Sequence, residues 1–230
     1  MAWVATENFD SYSDGDLSGE NGGSGWGGAW SSAQTTFEVQ GSVVQGGTKA
    51  MRFVSALDGD GITRPLAVDV DTGNVQFYVR RADKVGVVQI ILRDSGNSGV
   101  IRVDFENTAA GGDIVLNPPT DNIELLADFA LDTWYLIEME VNCTGDSHRA
   151  RVDGGTWSTA VTDFDPGAGE VNNFFTRTDQ ATVTNAYIDT LGVGAGQPSS
   201  VKTIGGLAIA DVKTVNNLAI ASVKAWNGLD

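Results

Sequence analysis

The chain has 230 residues, 41% of them apolar and 29 of them glycine, and its formal net charge is −16. Thirty acids against 14 Lys and Arg argue against a nucleic-acid partner and an anionic membrane surface, both of which call for clustered cations. A single cysteine, Cys143, excludes an internal disulfide, and no run of about 18 apolar residues is present to insert into a membrane.

The opening "MAWVATENFD" has neither a basic region nor a long apolar run, so no signal peptide is expected. "ENGGSGWGGAW" (20–30) then sets Trp26 and Trp30 among glycines. The rings either plug the core from a loop or stack on a ligand. The plug is the favoured reading, because an aromatic side chain can bury roughly 150–250 Å² and this loop has few other apolar anchors. From residue 50 onward, period-2 alternation dominates. "AMRFVSA", "NVQFYVRR", "VGVVQIILRD", "VIRVDFEN", "DIVLN", "WYLIEMEVN", "HRARVDGG", "NNFFTRTD" and "NAYIDTLGV" all read as strands. In "VIRVDFEN", Ile101, Val103 and Phe105 share one face, and Arg102, Asp104 and Glu106 the other. "DGDG" (58–61), "DTGN" (71–74), "DSGNSG" (94–99) and "DGG" (153–155) supply turns. Roughly ten or more one-sided strands predict an all-β, two-sheet antiparallel sandwich or jelly roll over 1–195. Cys143, ending a strand pattern, reads as a small buried hydrophobe.

"GQPSS" (196–200) reads as a linker, and residues 201–230 as an 11-residue repeat. Val201, Val212 and Val223 recur in register, as do Lys202, Lys213 and Lys224, and Leu207, Leu218 and Leu229; Trp226 lies in the partial third copy. Gly205-Gly206, Asn216-Asn217 and Asn227-Gly228 suit two-residue type I′ turns, so the segment predicts a β-meander. So few apolar side chains do not sustain a meander alone. The repeat, with Val201, Lys202, Leu207, Val212, Lys213, Leu218, Val223 and Trp226 as its contact residues, is therefore expected to attach the chain to an assembly or to make a homo-oligomer.

"ENFDSYSDGDLSGENGGSGWGGAW", "GGTKAMRF", "DTWYLIEMEVN" and "NAYIDTLGVG" together resemble laminin-G-like jelly rolls of the concanavalin A-like superfamily over about residues 5–195. The resemblance implies two packed antiparallel sheets of about six strands each. The tail is similar to repeats at the ends of phage structural proteins. Together they imply a non-enzymatic structural protein of a virion or similar extracellular assembly, exposed on its surface and joined to its partners through the repeat. The alternative is a carbohydrate-binding adhesion module for cell-surface glycans, with Trp26, Trp30 and Trp157 as stacking candidates; a glycan hydrolase or lyase is the third reading. Relatives that hold structural Ca²⁺ imply Glu7 or Asp10, Gly47 or Thr48, and Asp189 as its ligands, a set of oxygens such an ion accepts. Enzymes of the superfamily carry E-x-D-x-x-E or Gln-x-His motifs that this chain lacks. Glu138 and Glu140 stand without a third acid, and His148 reads as a turn residue.

Overall fold

The computed structural model describes residues 3–194 except 35, 55–56, 109–110, 119–120 and 180–184, and beyond them residues 203–204, 207–208, 214–215 and 218–219. All regular structure among the described residues is β. The chain divides into two compact units, Met1–Gly196 and Gln197–Asp230.

The first unit is a two-sheet antiparallel jelly roll. One sheet has eight strands. Its path runs β12 (Arg149–Val152), β11 (Trp134–Asn142), β6 (Thr72–Arg81), β14 (Ala186–Gly194), β4 (Ala50–Phe53), β3 (Phe37–Gln40), β2 (Gly15–Asp16), and β1 (Trp3–Glu7) joins β14 off this path. The other has six, in the order β10 (Ile123–Leu126), β9 (Gly111–Leu116), β8 (Gly99–Thr108), β7 (Val87–Arg93), β13 (Val171–Asp179), β5 (Gly61–Val70).

Alternation decides which side chains fill the space between the sheets. Tyr135, Ile137 and Met139 of β11 stand opposite Val79, Phe77 and Val75 of β6, and all are buried. Ile90 and Leu92 of β7 face Val103 and Ile101 of β8 in the same way. Each such fully buried side chain contributes roughly 1.5–3 kcal/mol. β5 carries Pro65 in its middle, and a residue with no N–H to donate is tolerated there because β5 is an edge strand.

"DTGN" does not form a four-residue turn. β5 ends at Val70 in one sheet and β6 begins at Thr72 in the other, so the chain changes sheets at Asp71. Gly73 and Asn74 are already in the ladder, where a Cβ on Gly73 would lie 2.2 Å from the Gly194 carbonyl oxygen. β14 also changes partner along its length. Tyr187 and Ile188 pair with β4, whereas Leu191 to Gly194 pair with β1, and a bulge at Thr190 (φ 50°) separates the two stretches.

In the second unit, β15 (Thr203–Ile204) pairs with β16 (Leu207–Ala208), and β17 (Thr214–Val215) with β18 (Leu218–Ala219). Ile204 stands opposite Leu207 and Val215 opposite Leu218, two antiparallel pairings 11 residues apart.

Candidate functional site

The outer face of the six-stranded sheet is built from long polar side chains in register. Arg177 of β13, Gln89 of β7, Asp104 of β8 and Val115 of β9 form one row across four strands. Phe175, Ile91 and Arg102 form the next, and Asn173 and Arg93 a third. Arg102 grips Asp104 with two nitrogens, its Nε donating to Oδ1 at 2.7 Å and an Nη to Oδ2. Asn117 Nδ2 donates to the same Oδ2 at 3.1 Å. Arg177 Nε donates to Gln89 Oε1, and Gln89 Nε2 in turn to Asp179 Oδ2 at 3.1 Å. Both Asp104 and Gln89 are wholly buried, although they point away from the core. Burial lifts the Asp104 carboxyl above its ordinary pKa against the pull of Arg102; burial and then the Asp104 charge do the same to Glu106. Two aromatic rings flank the face, Phe164 beneath Arg102 at 5.0 Å and Phe175 beneath Arg93 at 3.5 Å.

The wholly buried Asp104 and Gln89 hold the partly exposed Arg102, Asn117 and Arg177 in fixed directions, and the N–H donors of these three suit recognition of paired hydroxyls. The sequence shows R-x-D-x-E as the polar side of a strand, which reads as a solvated face. Its signal was a cation two residues before an acid on one face, and only the register to Gln89 and Arg177 turns that into a network.

The sequence-predicted residues go elsewhere. Glu7 ion-pairs with Arg64, both side chains at 0% exposure, and also accepts from Tyr12 Oη (2.6 Å) and the Phe9 N–H (2.8 Å). It is an internal counter-ion, closed to a metal. Trp30 is 1% exposed, stacks on Phe9 at 5.9 Å and meets Phe174 edge-on at 6.1 Å, so it plugs the core and has no face for a sugar. Trp26 is partly buried beside it, 6.2 Å between centroids, with Nε1 donating to the Thr6 carbonyl at 3.0 Å. Arg64 lies over both indoles and donates to the Gly22 and Gly28 carbonyls, which fastens the glycine-rich loop down. Gly25 must be glycine: its φ is +77° and a Cβ would fall 1.7 Å from the Val4 carbonyl oxygen. Trp157 is on the outer face of the other sheet, against the guanidinium groups of Arg149 (4.9 Å) and Arg151 (4.3 Å).

Asp10, Gly47 and Asp189 do converge on the loop before β4, but what the carboxylates meet there are donors. Asp10 Oδ1 accepts from the Thr48 N–H (2.6 Å), its hydroxyl (3.0 Å) and the Lys49 N–H (2.9 Å). Asp189 Oδ2 accepts from the Gln45 and Gly46 N–H groups at 2.8 and 3.1 Å, and Oδ1 from the N–H and hydroxyl of Thr190. Four donors saturate the wholly buried Asp189 carboxylate, leaving no lone pair for an ion. A calcium ion needs oxygens in place of these N–H groups, so the arrangement does not fit the ion that the resemblance implies.

His148 is no turn residue: it is fully buried, its Nε2 2.7 Å from Asp163 Oδ1. Asp146 completes a three-residue cluster by accepting from the Asp163 N–H at 2.7 Å. Where β14 exchanges partners, a cleft of about 210 Å³ opens between Trp3, Thr6, Asn8, Gln76, Thr190 and Gly192. That is below the range of roughly 300–1,000 Å³ typical of small-molecule sites. Of the repeat residues, Leu207 and Leu218 fall in the paired strands; Val201, Lys202, Val212, Lys213, Val223 and Trp226 lie outside the described residues.

No protein-family model matches the sequence, and no curated protein matches it. Solved structures do match the fold. A carbohydrate esterase from Shiga toxin-encoding bacteriophage phi24B superposes with a TM-score of 0.59 at 13% identity, over 85% of this chain and 99% of that one. A sialidase gives 0.58 at 11% identity, over 86% of this chain, which spans only 19% of the sialidase's length. Domain 4 of a GH43 extracellular arabinanase from Geobacillus stearothermophilus, solved in complex with arabinotriose, gives 0.51 at 13% identity, over 84% of this chain and 92% of that one. At these identities the likeness shows the fold alone, a two-sheet antiparallel jelly roll.

Proposed function

We propose that the chain is a carbohydrate-binding module without catalytic activity, and that its ligand lies on the outer face of the six-stranded sheet. The observation carrying this reading is the locked polar row from Arg177 through Gln89 to Asp104, with Arg102, Asn117 and two flanking phenylalanines. Support comes also from the company the fold keeps, since all three structures above are named for carbohydrate chemistry or hold an oligosaccharide. The wholly buried Asp104, held by a two-point Arg grip and an Asn amide, is committed as an acceptor that positions Arg102 and Asn117, a role that suits binding better than catalysis. A glycan array of the whole chain tests the reading. Binding is expected, and Asn117→Ala and Arg102→Gln should each weaken it about tenfold or more, with no oligosaccharide cleaved in the same samples. An array without a hit overturns it.

The repeat supports a second, compatible role as the attachment element of a virion or similar extracellular assembly, with self-association through its paired strands. The two antiparallel strand pairs 11 residues apart favour it, as repeated strand units pair their edges readily. Deleting 197–230 should reduce the oligomer measured by light scattering to a folded monomer; an unchanged mass sinks this role.

A further inference from the structure

Cations are scarce in this chain, and nine of the eleven among the described residues are paired with a carboxylate. Fourteen Lys and Arg stand against 30 Asp and Glu. Lys202, Lys213 and Lys224 lie outside the described residues. Among the described residues, Lys49, Arg52, Arg64, Arg80, Arg81, Lys84, Arg102, Arg149 and Arg151 each ion-pair with a carboxylate. Arg93 and Arg177 form no such pair among the described residues, and they are neighbours on the glycan face. Arg93 sits opposite Asn173 and Arg177 opposite Gln89 on adjoining strands, with Phe175 between. Burial and then the Arg177 charge hold the Arg93 pKa below its ordinary value, with the Asp165 charge opposing them.

The Asp165 charge acts on Arg93 but forms no ion pair with it among the described residues, and the acids around the two arginines accept hydrogen bonds from other groups. Asp165 takes the Gly99 N–H at 2.6 Å, and Asp94 takes the N–H groups of Ser98 (2.8 Å) and Gly169 (3.0 Å). Asp179 takes the Gln89 amide and Asp104 belongs to Arg102. The two guanidinium groups are also pre-oriented. Arg93 lies flat on Phe175, and Arg177 is tied by Nε alone, which leaves its terminal nitrogens available among the described residues. In a chain with two acids per cation, two oriented guanidinium groups that flank Phe175 and form no ion pair among the described residues are a fork for an anion from outside.

We propose that Arg93 and Arg177, with Phe175 between them, form an anion-selecting notch, and that the ligand is an acidic sugar bearing a carboxylate or a sulfate ester on its ring. This rests on the carbohydrate reading and gives it a chemical class. Phe175 supplies an apolar surface beside the charge, lying across Gly61, where a Cβ would come 2.7 Å from the ring.

Calorimetric titration of the whole chain tests it with tetragalacturonate as the carboxylate arm, a heparin-derived tetrasaccharide as the sulfate arm and cellotetraose as the neutral control. At least one acidic arm should bind more tightly than cellotetraose. Arg93→Gln and Arg177→Gln should each weaken it by about tenfold or more at an unchanged melting temperature, and Arg93→Lys by less, because the charge stays and the fork goes. No binding in either acidic arm, or acidic binding that Arg93→Gln leaves intact, overturns the notch. If neutral glycans bind the array while both acidic arms fail, the notch falls and the carbohydrate reading stands; if no glycan binds at all, both fall.

Discussion

Arg64 and Glu7 form an ion pair with neither side chain touching solvent, on strands of opposite sheets. The pair also receives Tyr12 Oη and holds two carbonyls of the 20–30 loop. Removing one partner strands the other charge in the interior, which costs about 3–5 kcal/mol. Arg64→Ala and Glu7→Gln should both show this in urea denaturation, and Arg64→Met with Glu7→Leu should recover much of it. A loss below about 1 kcal/mol for either single variant would mean that water reaches the pair.

Trp30 and Trp26 should separate by burial. Trp30→Ala empties a site surrounded by Phe9, Phe174 and Trp26 and should cost about 3–5 kcal/mol. Trp26→Ala, at a partly buried position, should cost less. Neither should alter glycan affinity in the protein that remains folded, and a selective loss of affinity at unchanged stability would return these rings to the ligand.

Asp189 should behave as a donor-satisfied carboxylate. Asp189→Asn sets an amide N–H against backbone N–H groups and should cost about 1–3 kcal/mol. In a domain of this size that lowers the melting temperature by about 2–4 °C per kcal/mol. Chelator should not shift the wild-type melting temperature; a fall that added calcium reverses would show a bound ion.

Alkaline pH should unfold the protein in two overlapping windows. Burial, followed by the bond to Glu7, pushes Tyr12 up from 10.0 to about 12. Burial raises Cys143 from 9.0 to about 11. Both pKa values are higher folded than unfolded, so the native state holds more protons inside each window. The stability is present in full below the unfolded values and is lost as pH rises through 9–11 for the thiol and 10–12 for the phenol. Tyr12→Phe should flatten the upper window alone, measured as midpoint against pH, and Cys143→Ala the lower.

Strand character was legible wherever apolar residues alternate, as in β6, β8 and β11, because the two-residue period is a local property. β5 was hidden by Pro65 and the buried Arg64, both unlike strand residues; an edge position and a counter-ion 57 residues away explain them, and neither is local. The polar face was visible as residues and invisible as a site, since alternation cannot distinguish a wet row from one whose members hold each other. Glu7 misled for a related reason: an acid near a chain's first strand looks available until the arginine opposite it is known. His148 likewise reads as a turn residue until Asp163 closes over it.

The change of partner along β14 bears on how the molecule is made. Residues 186–194 lie in the middle of the eight-stranded sheet, bridging β6 on one flank and both β4 and β1 on the other. The first and last strands of the sandwich are therefore direct neighbours, and its sheet cannot close until the last has left the ribosome. Contacts spanning so much of the chain slow folding. A nascent chain halted before residue 186 holds β6 and β4 with nothing between them, two open edges awaiting a strand not yet synthesised.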